Sequence, residues 1–128
     1  MRATIVLLVA LLVAGCGGGD SKPKGLPGKD DPAVKRAAQG YLDAYAAKNP
    51  SAICATLTPK VRKQLSDNKG TCVKTMKFSL KHARNFPHLT VGQARSQGDI
   101  GRALVSGSTR QISLQQVGGQ WLVSNGGL

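Results

Sequence analysis

Three cysteines, six aspartates, two histidines and two tyrosines are the side chains of this 128-residue chain able to attach, bridge, ligate or move a proton, and there is no glutamate. General acid-base catalysis needs a titratable group held in a pocket that tunes its pKa. The aspartates do not fit that need. Asp20, Asp30 and Asp31 stand in a polar stretch or just before a helix, Asp67 and Asp99 stand in turn sequences, and Asp43 sits two residues from both Tyr41 and Tyr45. On a helix a two-residue step turns Asp43 about 200° away from the tyrosine face. Tyr41, Tyr45, His82 and His88 remain as candidates. Two tyrosines four apart on an apolar stripe line a core, with their hydroxyls reaching its rim. His82 neighbours Lys81 and Arg84 on a helix surface, and His88 follows Pro87 in a connection. There is no nucleophile motif and no phosphate loop, and the spacing of the histidines to the cysteines matches no usual metal-ligand pattern. No catalytic residue, metal or cofactor is expected.

Charge is the second lead. Eighteen Lys plus Arg against six Asp give a net charge of +12 and a pI near 10.2, which attracts polyanions without naming one. Lys74, Lys77, Lys81 and Arg84 are spaced 3, 4 and 3, so on a helix they form one stripe opposite Met76, Leu80 and Ala83. Lys60, Arg62, Lys63 and Lys69 lie just upstream. Such a stripe is either a solvated helix face or a docking surface for an anionic partner.

The elements that position these residues begin with a leader. Met1 and Arg2 make a minimal positive start, and residues 5–13 are nine apolar residues, Ile, Val and Leu with one Ala. That is a signal-peptide length, whereas a membrane-spanning helix takes about 20 apolar residues. The sequence Val13-Ala14-Gly15-Cys16 resembles the lipobox of bacterial lipoproteins: an aliphatic residue, two small residues, then cysteine. The resemblance implies that the Cys16 thiol receives a diacylglyceryl group and that residues 1–15 are cleaved away. It also implies a chain anchored on the outer side of the cytoplasmic membrane, or on the periplasmic side in a two-membrane cell. Two acyl chains hold a membrane firmly where one holds it marginally. Lys22, Lys24 and Lys29 follow within reach of anionic head groups. Residues 17–30 are Gly, Pro, Ser, Lys and Asp with one Leu, a composition expected to remain a flexible tether of roughly 20 Å. Export takes the chain away from nucleic acid, and no aromatic stacking groups are interleaved with the cations. The expected anionic partner is therefore lipid, a wall polymer or an acidic envelope protein.

Residues 31–128 are the expected folded domain. Asp30-Asp31-Pro32 is a cap followed by proline at the first helical position. Val34, Ala37, Ala38, Tyr41, Leu42, Tyr45 and Ala46 then recur at helical spacing. Asn49-Pro50 ends that helix. A short helix over 51–57 places Ile53, Cys54 and Leu57 on one side, and Thr58-Pro59 opens another with Val61 and Leu65 inward. A fourth helix over 71–84 has Cys72, Val73, Met76, Leu80 and Ala83 facing in. After Phe86-Pro87 the period falls to two: Leu89 and Val91, Ala103 and Val105, Ile112 and Leu114, Trp121 and Val123. Glycine-containing turns separate the runs, and Gly118-Gly119 is a two-residue hairpin signal. Helices followed by three or four antiparallel strands make an α+β fold.

In the helix AVKRAAQGYLDAYAAKNPSAIC, the segment QGDIGRALV and the closing hairpin ISLQQVGGQWLV, the chain resembles the nuclear transport factor 2-like superfamily. The likeness implies helices packed on a curved sheet to form a cone. Tyr41, Tyr45 and Trp121 then become the expected lining of any pocket. Small exported bacterial proteins of this type often bridge a cysteine after the first helix to one near the third, and Cys54 and Cys72 stand at those places. With Cys16 lipidated, these two remain free to pair in an oxidising compartment; two separate buried thiols are the alternative. The function expected is that of a membrane-anchored envelope lipoprotein whose non-catalytic domain binds a small ligand or a partner. Catalytic members of the superfamily imply the other reading, an isomerase or dehydratase using Tyr or His in the cone.

Overall fold

The computed structural model describes residues 25–67, 70–83 and 85–127. It is an α+β fold of four helices and an antiparallel sheet, in which the first helix lies on the sheet and the other three pack chiefly on helices. Three helices open with the same device, a polar cap followed by proline. Asp31 caps α1 (Pro32–Ala46), Asn49 caps α2 (Pro50–Thr56) and Thr58 caps α3 (Pro59–Ser66), each side chain accepting backbone N–H bonds from the first turn. Thr71 caps α4 (Cys72–His82) by accepting from the Lys74 N–H. Proline costs nothing at the first helical position, where its missing N–H has no acceptor.

The Asp31 cap is the most elaborate. Its Oδ1 accepts from Ala33 and Val34 at 2.9 and 3.3 Å, and the Ser96 hydroxyl, acting most strongly, holds the carboxyl below the usual range against the opposing effect of partial burial. A carboxyl with a depressed folded pKa stabilises above its ordinary value and loses that contribution as pH falls through the acid range. Asp31→Ala is therefore expected to lower unfolding stability by about 1–2 kcal/mol at neutral pH. Urea titrations should show the gap to the parent closing below about pH 4; a gap independent of pH refutes the assignment.

The sheet runs β1 (Lys29–Asp30), β2 (Val91–Gln97), β3 (Ile100–Val105), β4 (Gln111–Val117) and β5 (Gln120–Asn125), each strand antiparallel to its neighbour. Gly118 and Gly119 have φ of 57° and 80°, the positive values that the tight hairpin between β4 and β5 requires. One face of the sheet carries Ala94, Ala103, Val105, Ile112, Leu114 and Val123 against Val34, Ala38, Tyr41 and Leu42 of α1 and Ile53 of α2, all buried. The end of α2 is tied to β5 where the Thr58 N–H donates to the Val123 carbonyl at 3.0 Å.

Two sequence expectations are corrected. The sheet has five strands where three or four were expected, and the fifth lies within the stretch read as tether. Leu26 is only 7% exposed, and Lys29 and Asp30 pair with Ser96 and Arg95 on the open edge of β2. Arg95 clamps this strap: Nη1 donates to the carbonyls of Leu26 and Gly28 at 3.3 and 3.2 Å, and Nε lies 3.2 Å from Asp30 Oδ1. Gly28 has φ of 99° and passes so close to the Ser96 carbonyl that no side chain fits there. Composition averages over a segment, whereas an edge strand with unpaired N–H and C=O groups recruits particular residues.

The second correction concerns α4. Val73 was expected to face inward and is 38% exposed. Cys72, the first residue of the helix, is held inward by a bridge to Cys54, and the next residue is turned about 100° from it. The buried stripe is Cys72, Met76 and Leu80. The helix ends at His82, with Ala83 already extended; Arg84 lies outside the described residues.

Candidate functional site

Cys54 on α2 and Cys72 on α4 form a disulfide with Cα atoms 6.1 Å apart. Both are buried. The loop they close contains α3, which has no fully buried residue and is held to α4 by the Thr75 hydroxyl donating to the Leu65 carbonyl at 2.8 Å. Cys16, the proposed lipid attachment point, lies outside the described residues, as do Lys22 and Lys24. No described helix is long and apolar enough to cross a membrane.

Tyr41, Tyr45 and Trp121, the expected lining of any pocket, are placed as follows. Tyr41 is buried, with its ring 4.9 Å from that of Tyr45, which in turn packs edge-on at 5.3 Å against Phe86. Burial, and secondarily Tyr45, pushes the Tyr41 hydroxyl far above the ordinary phenol range. The backbone at Gly126 lies against that hydroxyl so closely that a Cβ there would overlap it. Trp121 lies instead beside Val34 over Gly101, whose missing side chain leaves room for the indole. It borders an open cleft of about 410 Å³ shared with Ala33, Arg36, Ala37 and Gly40 of α1.

Asp43 and His88 come together, as their sequence positions gave no means of foreseeing. His88 Nε2 is 3.1 Å from Asp43 Oδ1, with the side chains 68% and 52% exposed. Gln39 completes the group, its Nε2 donating to Asp43 Oδ1 at 2.9 Å and to the Leu89 carbonyl at 3.0 Å while its Oε1 accepts from the Val91 N–H at 2.9 Å. A carboxylate beside an imidazole can serve a general base, but this pair is open to water, where it gains little electrostatically. Its geometric effect is to fasten α1 to the start of β2. Among the described residues no group of three or more His, Cys, Asp or Glu could hold a metal ion.

On α4 the sequence stripe becomes a surface. Lys74, Lys77 and Lys81 are all exposed, and among the described residues the basic side chains within 4.0 Å of a carboxylate are Arg95 and His88. Phe78 lies in the same face, 68% exposed, with His82 tilted against it at a ring separation of 4.6 Å. Phe78 was not among the expected site residues, although its spacing of four from Lys74 and three from Lys81 puts it among the lysines. Comparison with protein-family models, with curated proteins and with solved structures gives no match for this chain.

Proposed function

We propose that the chain is an exported lipoprotein, anchored by a diacylglyceryl group on Cys16 to the cell envelope, whose domain acts by binding at its surface. The observation that carries this reading is the Cys54–Cys72 disulfide. A buried bridge suits an oxidising compartment, and it uses two of the three cysteines, leaving Cys16 for the attachment that its Val-Ala-Gly-Cys context resembles. The long helix α1 set against one face of the meander, with α2 packed beside it, is compatible with the nuclear transport factor 2-like cone, which we propose as the finer architecture.

Binding is favoured over the isomerase-like alternative by Tyr41. Its hydroxyl is enclosed by Tyr45 and the backbone at Gly126, and a proton donor has to reach its substrate. The exposed surfaces, above all the cationic face of α4, offer the accessible chemistry.

Mass spectrometry of the mature protein tests the anchor and the bridge together. The expected result is an N-terminal Cys16 carrying acyl mass, with residues 1–15 gone and the domain two hydrogens lighter than its reduced form. An N-terminus elsewhere, or an unmodified Cys16 after maturation in a lipoprotein-processing cell, overturns the anchor. Two thiols that alkylate without reductant overturn the bridge.

A further inference from the structure

We infer that the outer face of α4 docks on the surface of an anionic phospholipid bilayer, with Phe78 entering the interface and Lys74, Lys77 and Lys81 on the surrounding phosphates. At about 100° per residue these four side chains fall within an arc of about 100°. All four are exposed, and the helix carries no acidic residue. Its opposite side is committed to the core through Cys72, Met76 and Leu80, and the bridge at Cys72 fixes which way the outer face points. A single exposed apolar residue is ordinary on a protein surface. Phe78 is distinguished by its surroundings, since its neighbours on this face are cations, together with an imidazole tilted against its ring.

The choice of a bilayer over another polyanion follows from that combination. A soluble anionic polymer is recognised by charge alone and has no use for an exposed phenyl ring, whereas a membrane interface takes up both the ring and the charges. Lysine stems lie along apolar surface while their ammonium groups reach head-group phosphate. Each lysine near an anionic leaflet multiplies partitioning about fivefold, so three together amount to about a hundredfold, declining with salt. The inference deepens the anchored reading and rests on it for a bilayer within reach. In that arrangement the lipid holds the chain at the membrane and α4 orients the domain on it.

The test uses the full chain carrying Phe78→Trp, which keeps an aromatic ring and reports its surroundings. The parent chain supplies the background from Trp121. Vesicles of brominated phosphatidylcholine are compared with and without phosphatidylglycerol. The expected result is a blue-shifted and quenched reporter on the anionic vesicles alone, reversed by salt and abolished when Lys74→Gln, Lys77→Gln and Lys81→Gln are combined. A reporter that does not respond to anionic vesicles, or responds equally after the three substitutions, overturns the inference. So does capture by soluble polyphosphate that the Phe78→Ala chain matches while vesicles give no signal, an outcome that selects a wall-type polymer. Binding to an acidic envelope protein with the vesicles silent also overturns it. The anchor is read separately by the N-terminal mass, so either proposal can fail while the other stands.

Discussion

Replacing Cys54 and Cys72 together by alanine is expected to lower the melting temperature by roughly 12–24 °C, measured by circular dichroism without reductant. The bridge spans a sequence separation of 18, and restricting an unfolded loop of that size is worth about 3 kcal/mol on the chain-entropy argument. A domain of about 100 residues shifts by about 4–8 °C per kcal/mol. The sensitivity is high because the core is built mainly of aliphatic side chains, with aromatics at only 4% of the chain. Reduced parent protein should melt close to the double variant, since both lack the same constraint. The loss should also be uneven: α3 has no fully buried residue of its own and lies inside the closed loop. Its amides are therefore expected to lose hydrogen-exchange protection before those of β3 and β4. Coincident melting of parent and variant, or uniform loss of protection, refutes this account of the bridge.

The bridge illustrates what a sequence makes legible. The pairing of Cys54 with Cys72 was expected from the resemblance to small exported proteins of this type and from a Cys16 taken by lipid, with two buried thiols as the alternative, whereas the three cap-proline starts could be placed because each is a local chemical device. The inward residues of β3 and β4, Ala103, Val105, Ile112 and Leu114, follow from alternation alone and are all buried. What was not legible depends on contacts between distant residues. Leu26 is one apolar residue in a polar segment, and only the edge of β2 with Arg95 gives it a place. Asp43 and His88 are joined because α1 crosses the start of β2. Phe78 is a different case: its position was computable, but a helix pattern shows which residues share a face and not which face lacks a neighbour.

The aromatic cluster around Tyr41 carries the prediction of largest magnitude. Tyr41→Ala is expected to cost about 3–5 kcal/mol, the range for emptying a buried aromatic site, because it removes the ring on which Tyr45 and, behind it, Phe86 are packed. Tyr41→Phe keeps the ring and should cost far less at neutral pH. The two variants separate ring from hydroxyl, and pH then isolates the hydroxyl. Burial raises the folded pKa of Tyr41 far above that of an unfolded tyrosine, which is about 10. Below that pH both states hold the proton and the group is silent; above it the unfolded chain releases the proton while the folded chain keeps it. Stability therefore falls as pH rises past about 10, by about 1.4 kcal/mol per pH unit from this group. The informative quantity is the difference between chains, in which every other contribution to the pH dependence cancels. In urea unfolding at pH 8 and pH 11, the Tyr41→Phe chain should lose less stability than the parent between the two conditions. Equal losses would mean that the phenol ionises freely in the folded state. It would then be open to solvent or substrate, and the isomerase-like alternative would regain the accessible acid that the packed core denies it.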